Sequence, residues 1–173
     1  MALVDGIFFD TSLLIAGLIE LEHPNVPAQR VIDALTEGRL GRCQTAWHCC
    51  LEFYSVSTRL PVEFRLDPVE ALRLIEEEIL PRVDVVGLPD AFRLPFLRAA
   101  AQDGVIGGRV YDLHIAETAR VAGAELVLTE NRRHFSSLLR HGIRVQTAAE
   151  FLEELEAPDA AAGRAATDDT EQP

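Results

Sequence analysis

One carboxylate stands inside the most hydrophobic stretch of the chain. Asp10 is the only charged residue of GIFFDTSLLIAGLI, residues 6–19, and directly follows Phe8–Phe9. Burying a polar group without a partner costs about 1–3 kcal/mol, and burying a charge costs more. Asp10 therefore either caps the helix that follows, a role that Thr11 or Ser12 could also fill, or is present for its chemistry.

Two further acidic residues stand out by their positions on predicted helices. At 100° per residue, Asp112 falls among the apolar residues of a helix predicted over 109–122, where a solvated aspartate is not expected. The alternative is a buried aspartate that pairs with an arginine. Glu52 lies on a narrow polar strip of a helix predicted over 47–60, and a solvated surface glutamate is the alternative there.

The segment LVLTENRRHF, residues 126–135, places polar groups at the end of a predicted strand. Thr129 offers a hydroxyl group, and Glu130 and Asn131 offer oxygen ligands. Capping of the next helix is a common role for such a cluster and remains an alternative.

Short apolar runs alternate with longer helical patterns along the chain. Strands are predicted at 7–10, 42–44, 83–86 and 125–128 and at Val145, and helices at 12–22, 27–37, 47–60, 68–80, 89–101, 109–122 and 147–155. This alternation predicts an α/β domain with a mainly parallel sheet. Sites in such sheets form at the carboxyl ends of strands, and Asp10 ends the first strand.

Several carboxylates at one edge of a sheet would repel one another, and a divalent cation would relieve that repulsion. Mg²⁺ and Mn²⁺ prefer oxygen ligands, and a metal held in this way can activate water for attack on a phosphodiester. The chain contains no G-x-S-x-G motif, no P-loop and no G-x-G-x-x-G after a strand. The sequence therefore favours metal-assisted phosphodiester chemistry.

Length and composition predict one domain over residues 1–156 and a disordered acidic, alanine-rich tail over 157–173. The apolar amino-terminal run has no preceding basic residue and is interrupted by Asp5 and Asp10, so we do not expect a signal peptide. We expect a cytoplasmic location. The three cysteines, Cys43, Cys49 and Cys50, are expected to be buried thiols rather than a zinc site built with His48.

The formal net charge of −12 argues at first against a nucleic-acid partner. However, eight acidic residues lie from Glu150 onward. All sixteen basic residues are arginines, whose planar guanidinium group binds phosphate through two hydrogen bonds more readily than a lysine does. Arg132 and Arg133 open the most basic segment, where a solvated helix face is the alternative to RNA contact.

Four segments together resemble the PIN-domain family, particularly the VapC-type toxins of bacterial toxin–antitoxin pairs. They are FFDTSLLIAGL, LEFYSV, RVYDLHIAETARVAGAELVLTENRRHF and IRVQTAAEFLEEL, and the resemblance runs from about Ile7 to Leu155. It implies an α/β/α sandwich around a parallel sheet and an endoribonuclease dependent on Mg²⁺ or Mn²⁺. It also implies a homodimer that a cognate antitoxin silences.

By position, Asp10, Glu52 and Asp112 match the three acidic residues of the family, with Asp10 and Asp112 as direct metal ligands. Glu52 would ligate the metal or orient the attacking water. Thr11 and Thr129 would support the site together with Glu130 and Asn131, as Thr129 matches the threonine that begins the last motif.

The chain departs from the family where Asn131 and His134 stand in place of aspartates, which puts a second metal ion in doubt. Two hypotheses follow: a ribonuclease in which Arg132 and Arg133 meet the RNA backbone, and a PIN-like module that binds RNA or protein without cleaving. A phosphatase with Asp10 as the nucleophile is discounted. Such enzymes have a second aspartate two residues after the nucleophile, and Ser12 occupies that position here.

Overall fold

The computed structural model describes residues 5–165, with side chains described as far as residue 157. Its centre is a five-stranded, fully parallel sheet in the order β3-β2-β1-β4-β5. The strands are β1 Ile7–Phe9, β2 Cys43–Ala46, β3 Asp84–Val86, β4 Leu126–Leu128 and β5 Arg144–Gln146. The predicted α/β class with a parallel sheet is confirmed.

The two central strands are buried on both faces. All residues of β1 and β4 are 0% exposed, and successive side chains of a strand point to opposite faces of the sheet. Helices therefore cover both faces, as is typical of parallel sheets, and the continuous apolar run of β1 follows from that burial.

Within residues 5–165, seven α-helices surround the sheet. They are α1 Thr11–Leu18, α2 Val26–Thr36, α3 Trp47–Ser57, α4 Pro68–Leu74, α5 Asp90–Gln102, α6 Arg109–Val121 and α7 Ala148–Ala165. A π-helical turn, Ile75–Ile79, continues α4, and a 3₁₀ segment, Arg132–His141, lies between β4 and β5. Helix starts follow local caps: Asp67 Oδ1 accepts from the backbone N–H groups of Val69 and Glu70 at the start of α4.

Some predicted boundaries differ from the observed ones. Helix α1 ends at Leu18 rather than at residue 22, because Ile19 turns into extended backbone and its side chain packs into the core. Strand β2 begins and ends later than predicted. Helix α5 accommodates Pro95 within its length.

The backbone of α7 continues to Ala165, and residues 166–173 lie outside the described part of the chain, so the disordered tail over 157–173 stays a prediction. Within residues 5–165, no helix is both long and apolar enough to cross a membrane.

The strand order creates one crevice that matters for function. From β1 the chain moves to β2 and β3 on one side, then crosses to β4 and β5 on the other side of β1. In open parallel sheets, ligands bind at such a switch point, beyond the carboxyl ends of the strands. The residues that follow β1 and β4 are Asp10 and Thr129.

Candidate active site

Asp10 lies at the carboxyl end of β1, beside the end of β4. Its backbone N–H donates to the carbonyl oxygen of Leu128 over 3.1 Å, so the two strand ends are joined at this point. The side chain is 6% exposed and caps α1, as its Oδ2 accepts from the N–H of Ser12. The capping alternative is therefore correct, but it occupies only one oxygen of the carboxylate.

Three hydrogen bonds converge on that oxygen. Asp10 Oδ2 accepts from Ser12 N (3.3 Å), Ser12 Oγ (2.7 Å) and Thr129 Oγ1 (2.8 Å). Among the described hydrogen bonds, none reaches Asp10 Oδ1. Burial raises the pKa of Asp10, and the hydrogen bonds from Ser12 and Thr129 counter only part of that effect.

These features fit a divalent cation. A buried carboxylate whose ionised form is disfavoured gains most from a nearby positive charge, and Oδ1 is an oxygen donor of the kind that Mg²⁺ and Mn²⁺ prefer. The surrounding hydroxyl groups hold the carboxylate in one orientation.

Glu52 is connected to Asp10 through the next residue of the chain. Thr11 Oγ1 donates to Glu52 Oε2 over 2.6 Å, and Thr11 is 4% exposed. Helix α3 begins directly after β2, which pairs with β1, so its polar strip faces the same edge of the sheet. The solvated alternative for Glu52 is wrong, because this half-buried side chain has a defined partner.

Asp112 lies in the first turn of α6, at the edge of its buried face. Its side chain is 34% exposed, and its Oδ2 lies 3.2 Å from His134 Nδ1. The expectation that Asp112 lies within the apolar face of the helix is wrong. Ile115 and Ala116 of that face are buried, but Tyr111, next to Asp112, is largely exposed. The alternative partner, an arginine, is replaced by the imidazole of His134.

The helices that carry Glu52 and Asp112 contact each other near these residues. The ring of His48, one turn before Glu52, stacks on Tyr111 with 5.1 Å between the ring centroids. The three acidic residues thus belong to one region of the molecule. However, within the described residues no group of three or more His, Cys, Asp or Glu side chains is arranged to hold a metal ion.

This finding bears on the kind of metal site. Mg²⁺ is usually held by one or two carboxylates, with water and substrate phosphate completing its coordination. The absence of a larger cluster among the described residues is therefore compatible with a site of one or two carboxylates, and Asn131 and His134 add no further carboxylate. The zinc alternative has no support, since Cys43, Cys49 and Cys50 are buried and burial raises their pKa values to about 12, 12 and 11.

The predicted supporting residues have different positions. Thr129 is fully buried and donates to Asp10, as the site requires. Glu130 turns away, because its Oε1 accepts from the N–H of Ala148 at the start of α7. Asn131 is exposed, and its backbone N–H donates to Thr129 Oγ1 over 3.0 Å.

The two predicted RNA-binding arginines diverge. Arg132 forms an ion pair with Glu150 of α7, whereas Arg133 lines a depression next to Asp112. Sequence reasoning missed Arg109, which lines the same depression and lies three residues before Asp112 on α6. That spacing, which places both side chains on one helix face, was the available signal.

Comparison with known proteins gives consistent results. The PIN domain family model matches residues 7–140. The chain is 36% identical over 102 residues to ribonuclease VapC27 of Mycobacterium tuberculosis, a match that covers 59% of this chain and 72% of the relative. It is 30% identical over 137 residues to ribonuclease VapC40 of the same species, covering 79% of this chain and 95% of the relative.

Solved structures share the fold at low sequence identity. VapBC-1 from nontypeable Haemophilus influenzae aligns with a TM-score of 0.56 and 20% identity, covering 83% of this chain and 98% of the matched one. FitAcB from Neisseria gonorrhoeae aligns with a TM-score of 0.54 and 19% identity, covering 82% and 97%. At these identities the structures support the fold alone.

Proposed function

The chain belongs to the PIN domain family, and from that premise we propose that it is a divalent-metal-dependent endoribonuclease, the toxin of a toxin–antitoxin pair. The observation that carries the proposal is the Asp10 carboxylate: it is buried at the switch point of the sheet, and its described side-chain hydrogen bonds all reach Oδ2. The relatives named VapC ribonucleases support RNA as the substrate.

In this proposal Asp10 and Asp112 hold Mg²⁺ or Mn²⁺, which when bound polarises the phosphodiester and lowers the pKa of a water molecule. Ser12 and Thr129 fix the orientation of Asp10. Glu52, held by Thr11, orients the attacking water and accepts its proton.

The basic side chains near the site bind the RNA backbone in this proposal. Arg133, next to Asp112, lies against the RNA backbone. Arg132 can join it only by leaving Glu150, since the two now form an ion pair at the surface.

Partners follow from the same premise. We propose a cognate antitoxin, and the similarity to VapBC structures supports it. We also propose a homodimer and a cytoplasmic location. Helix α3 exposes Trp47, Leu51 and Tyr54 at helical spacing, an apolar surface suited to a second copy. Sedimentation equilibrium of the purified protein tests the dimer.

A second candidate is a PIN-like module that binds RNA or a protein without cleaving. The observation that favours it is the pair of substitutions in the last motif, where Asn131 and His134 supply no carboxylate. Retention of Asp10, Glu52 and Asp112 favours the nuclease.

The test is incubation of the purified protein with total RNA, with Mg²⁺, Mn²⁺ or a chelator. Asp112→Asn is compared with Asp33→Asn, a matched control on the exposed face of α2. We expect discrete fragments that require metal, persist in Asp33→Asn and disappear in Asp112→Asn. Equal cleavage by all three proteins would refute the site, and RNA binding without cleavage by the wild type would establish the binding module.

A further inference from the structure

A depression of about 300 Å³ lies beside Asp112, between α6 and the 3₁₀ segment. Its polar walls consist of Arg109, Asp112, Arg133, His134, Ser136 and Ser137. Its described lining residues do not include Asp10 or Thr129, but it shares Asp112 with the proposed metal site. The metal chemistry proposed above gives Arg109 no role.

The charges in this depression are unusual for the molecule. Most of the ion pairs seen on the described surface match an arginine with a carboxylate, as in Arg120–Glu117 and Arg144–Glu154. Among the described ion pairs, none includes Arg109 or Arg133. Two arginines that have no described ion pair therefore line one depression, in a chain of net charge −12.

One carboxylate, that of Asp112, also lines the depression, so the two arginines exceed it by one charge. Asp112 Oδ2 lies 3.2 Å from His134 Nδ1. The donors that remain are the N–H groups of Arg109 and Arg133 and the hydroxyl group of Ser137. Ser136 Oγ already donates to the carbonyl oxygen of Arg133, which ties the two residues of the rim together.

This donor set selects its ligand. Guanidinium groups with an adjacent hydroxyl group bind phosphate oxygens. Among the described lining residues, Leu113 is the one with an apolar side chain. An RNA chain that presents its scissile bond to Asp112 carries its next phosphates close to that residue, and Arg109 and Arg133 line the depression beside it.

We propose that this depression is a subsite for one non-scissile backbone phosphate of the RNA substrate, bound by Arg109 and Arg133. The subsite sets the register of the strand over the acidic residues. The proposal rests on the proposed ribonuclease function and adds to it the position of a neighbouring phosphate.

The first experiment measures steady-state cleavage of a short single-stranded RNA at several salt concentrations. The proteins are the wild type, Arg109→Ala, Arg109→Lys and Arg39→Ala. Arg39 is a matched control, because it is an exposed arginine that precedes β2 and so lies at the opposite edge of the sheet. Thermal denaturation of each protein verifies that it is folded.

We expect Arg109→Ala to raise KM by about tenfold or more with kcat within about twofold, the effect of losing a charge-assisted hydrogen bond. The slope of log affinity against log salt concentration should fall by about 0.7, the value for one phosphate contact on a single strand. Arg109→Lys should recover part of the loss, and Arg39→Ala should match the wild type.

The second experiment locates the phosphate. Substrates that carry one uncharged methylphosphonate linkage, moved along the strand, should slow the wild type at one non-scissile position. Arg109→Ala should be insensitive at that same position, because the contact is already absent.

The outcomes separate the two proposals. If Arg109→Ala cleaves with the KM and salt slope of Arg39→Ala, the subsite is refuted while the ribonuclease stands. If the folded wild type cleaves no RNA in the presence of metal, the ribonuclease itself is refuted, and the subsite is refuted with it.

Discussion

Replacement of Asp10 by asparagine should stabilise the metal-free protein while it removes the metal site. The asparagine carbonyl oxygen can accept the three hydrogen bonds that Oδ2 now receives from Ser12 and Thr129. The substitution removes a buried negative charge whose ionised form is disfavoured, as the raised pKa of Asp10 indicates.

The expected gain is about 1 kcal/mol at pH 7, which corresponds to about 2–4 °C in Tm for a chain of this size. The sign follows from linkage. At pH values below the ordinary pKa of an aspartate, near 3.8, Asp10 is protonated in both the folded and the unfolded state. The wild type and Asp10→Asn should then be equally stable. As the pH rises through the raised pKa of the folded state, the wild type loses stability relative to Asp10→Asn.

Added Mg²⁺ should reverse the order. A ligand that binds only the native state at tenfold excess over its Kd stabilises by about 1.4 kcal/mol, or about 3–5 °C here. This shift should occur in the wild type and be absent in Asp10→Asn.

The assay is differential scanning calorimetry from pH 4 to 8, with a chelator or with Mg²⁺. Asp10→Ala is the matched control: it removes the acceptor as well as the charge and should lower the unfolding free energy by about 1–3 kcal/mol. An Asp10→Asn protein that is less stable than the wild type without metal, or that gains the same Tm shift from Mg²⁺, would refute the reasoning.

Three further predictions concern other parts of the molecule. Glu52→Gln keeps an acceptor for Thr11 Oγ1, so we expect Tm within about 2 °C of the wild type but a loss in RNA cleavage rate of about 10²-fold or more; cleavage at the wild-type rate would remove Glu52 from the site. The pKa values of Cys43, Cys49 and Cys50, raised by burial to about 12, 12 and 11, predict no reaction of the native protein with Ellman's reagent at pH 8 and three reactive thiols in guanidinium; rapid native labelling would contradict this. A Cβ on Gly17 would lie 2.5 Å from Ile32 Cγ1 where α1 packs on α2, so Gly17→Ala should lower the free energy of unfolding in urea by about 1–2 kcal/mol. Gly87 has open space around it, so Gly87→Ala should leave the free energy of unfolding unchanged. Equal effects of the two substitutions would refute that packing argument.

The part of the site built on strand ends was predictable from the sequence. The apolar run before Asp10 and the one before Thr129 mark buried parallel strands, and parallel strands bring their carboxyl ends to one edge. The contact between Thr129 and Asp10 follows from the pairing of β1 with β4, across 119 residues of sequence.

The part built on side-chain choice was not predictable. Arg132 and Arg133 are neighbours on a 3₁₀ segment, where one residue step turns the side chain by about 120°. Which of them faces Asp112 is decided by Glu150, which binds Arg132 from α7. Glu130 turns to the start of α7 for a similar reason, because it caps Ala148.

The pairing of Asp112 with His134 also required the structure. The helical pattern around Asp112 predicted a buried position, yet the side chain lies at the edge of that face, where a residue of the 3₁₀ segment reaches it. Local periodicity fixes the face of a helix, but the packing of a segment that follows β4 determines which partner is present.

The central claim is that Asp10 supports metal-assisted hydrolysis of RNA, and the ends of the RNA fragments test it most directly. Water activated by a bound metal would attack the phosphorus and expel the 3′-oxygen, which would leave a 5′-phosphate and a 3′-hydroxyl. We predict these ends for the wild type with Mg²⁺ or Mn²⁺, and no such fragments for Asp10→Asn. Fragments with 2′,3′-cyclic phosphate ends, or identical 5′-phosphate fragments from Asp10→Asn, would contradict the account.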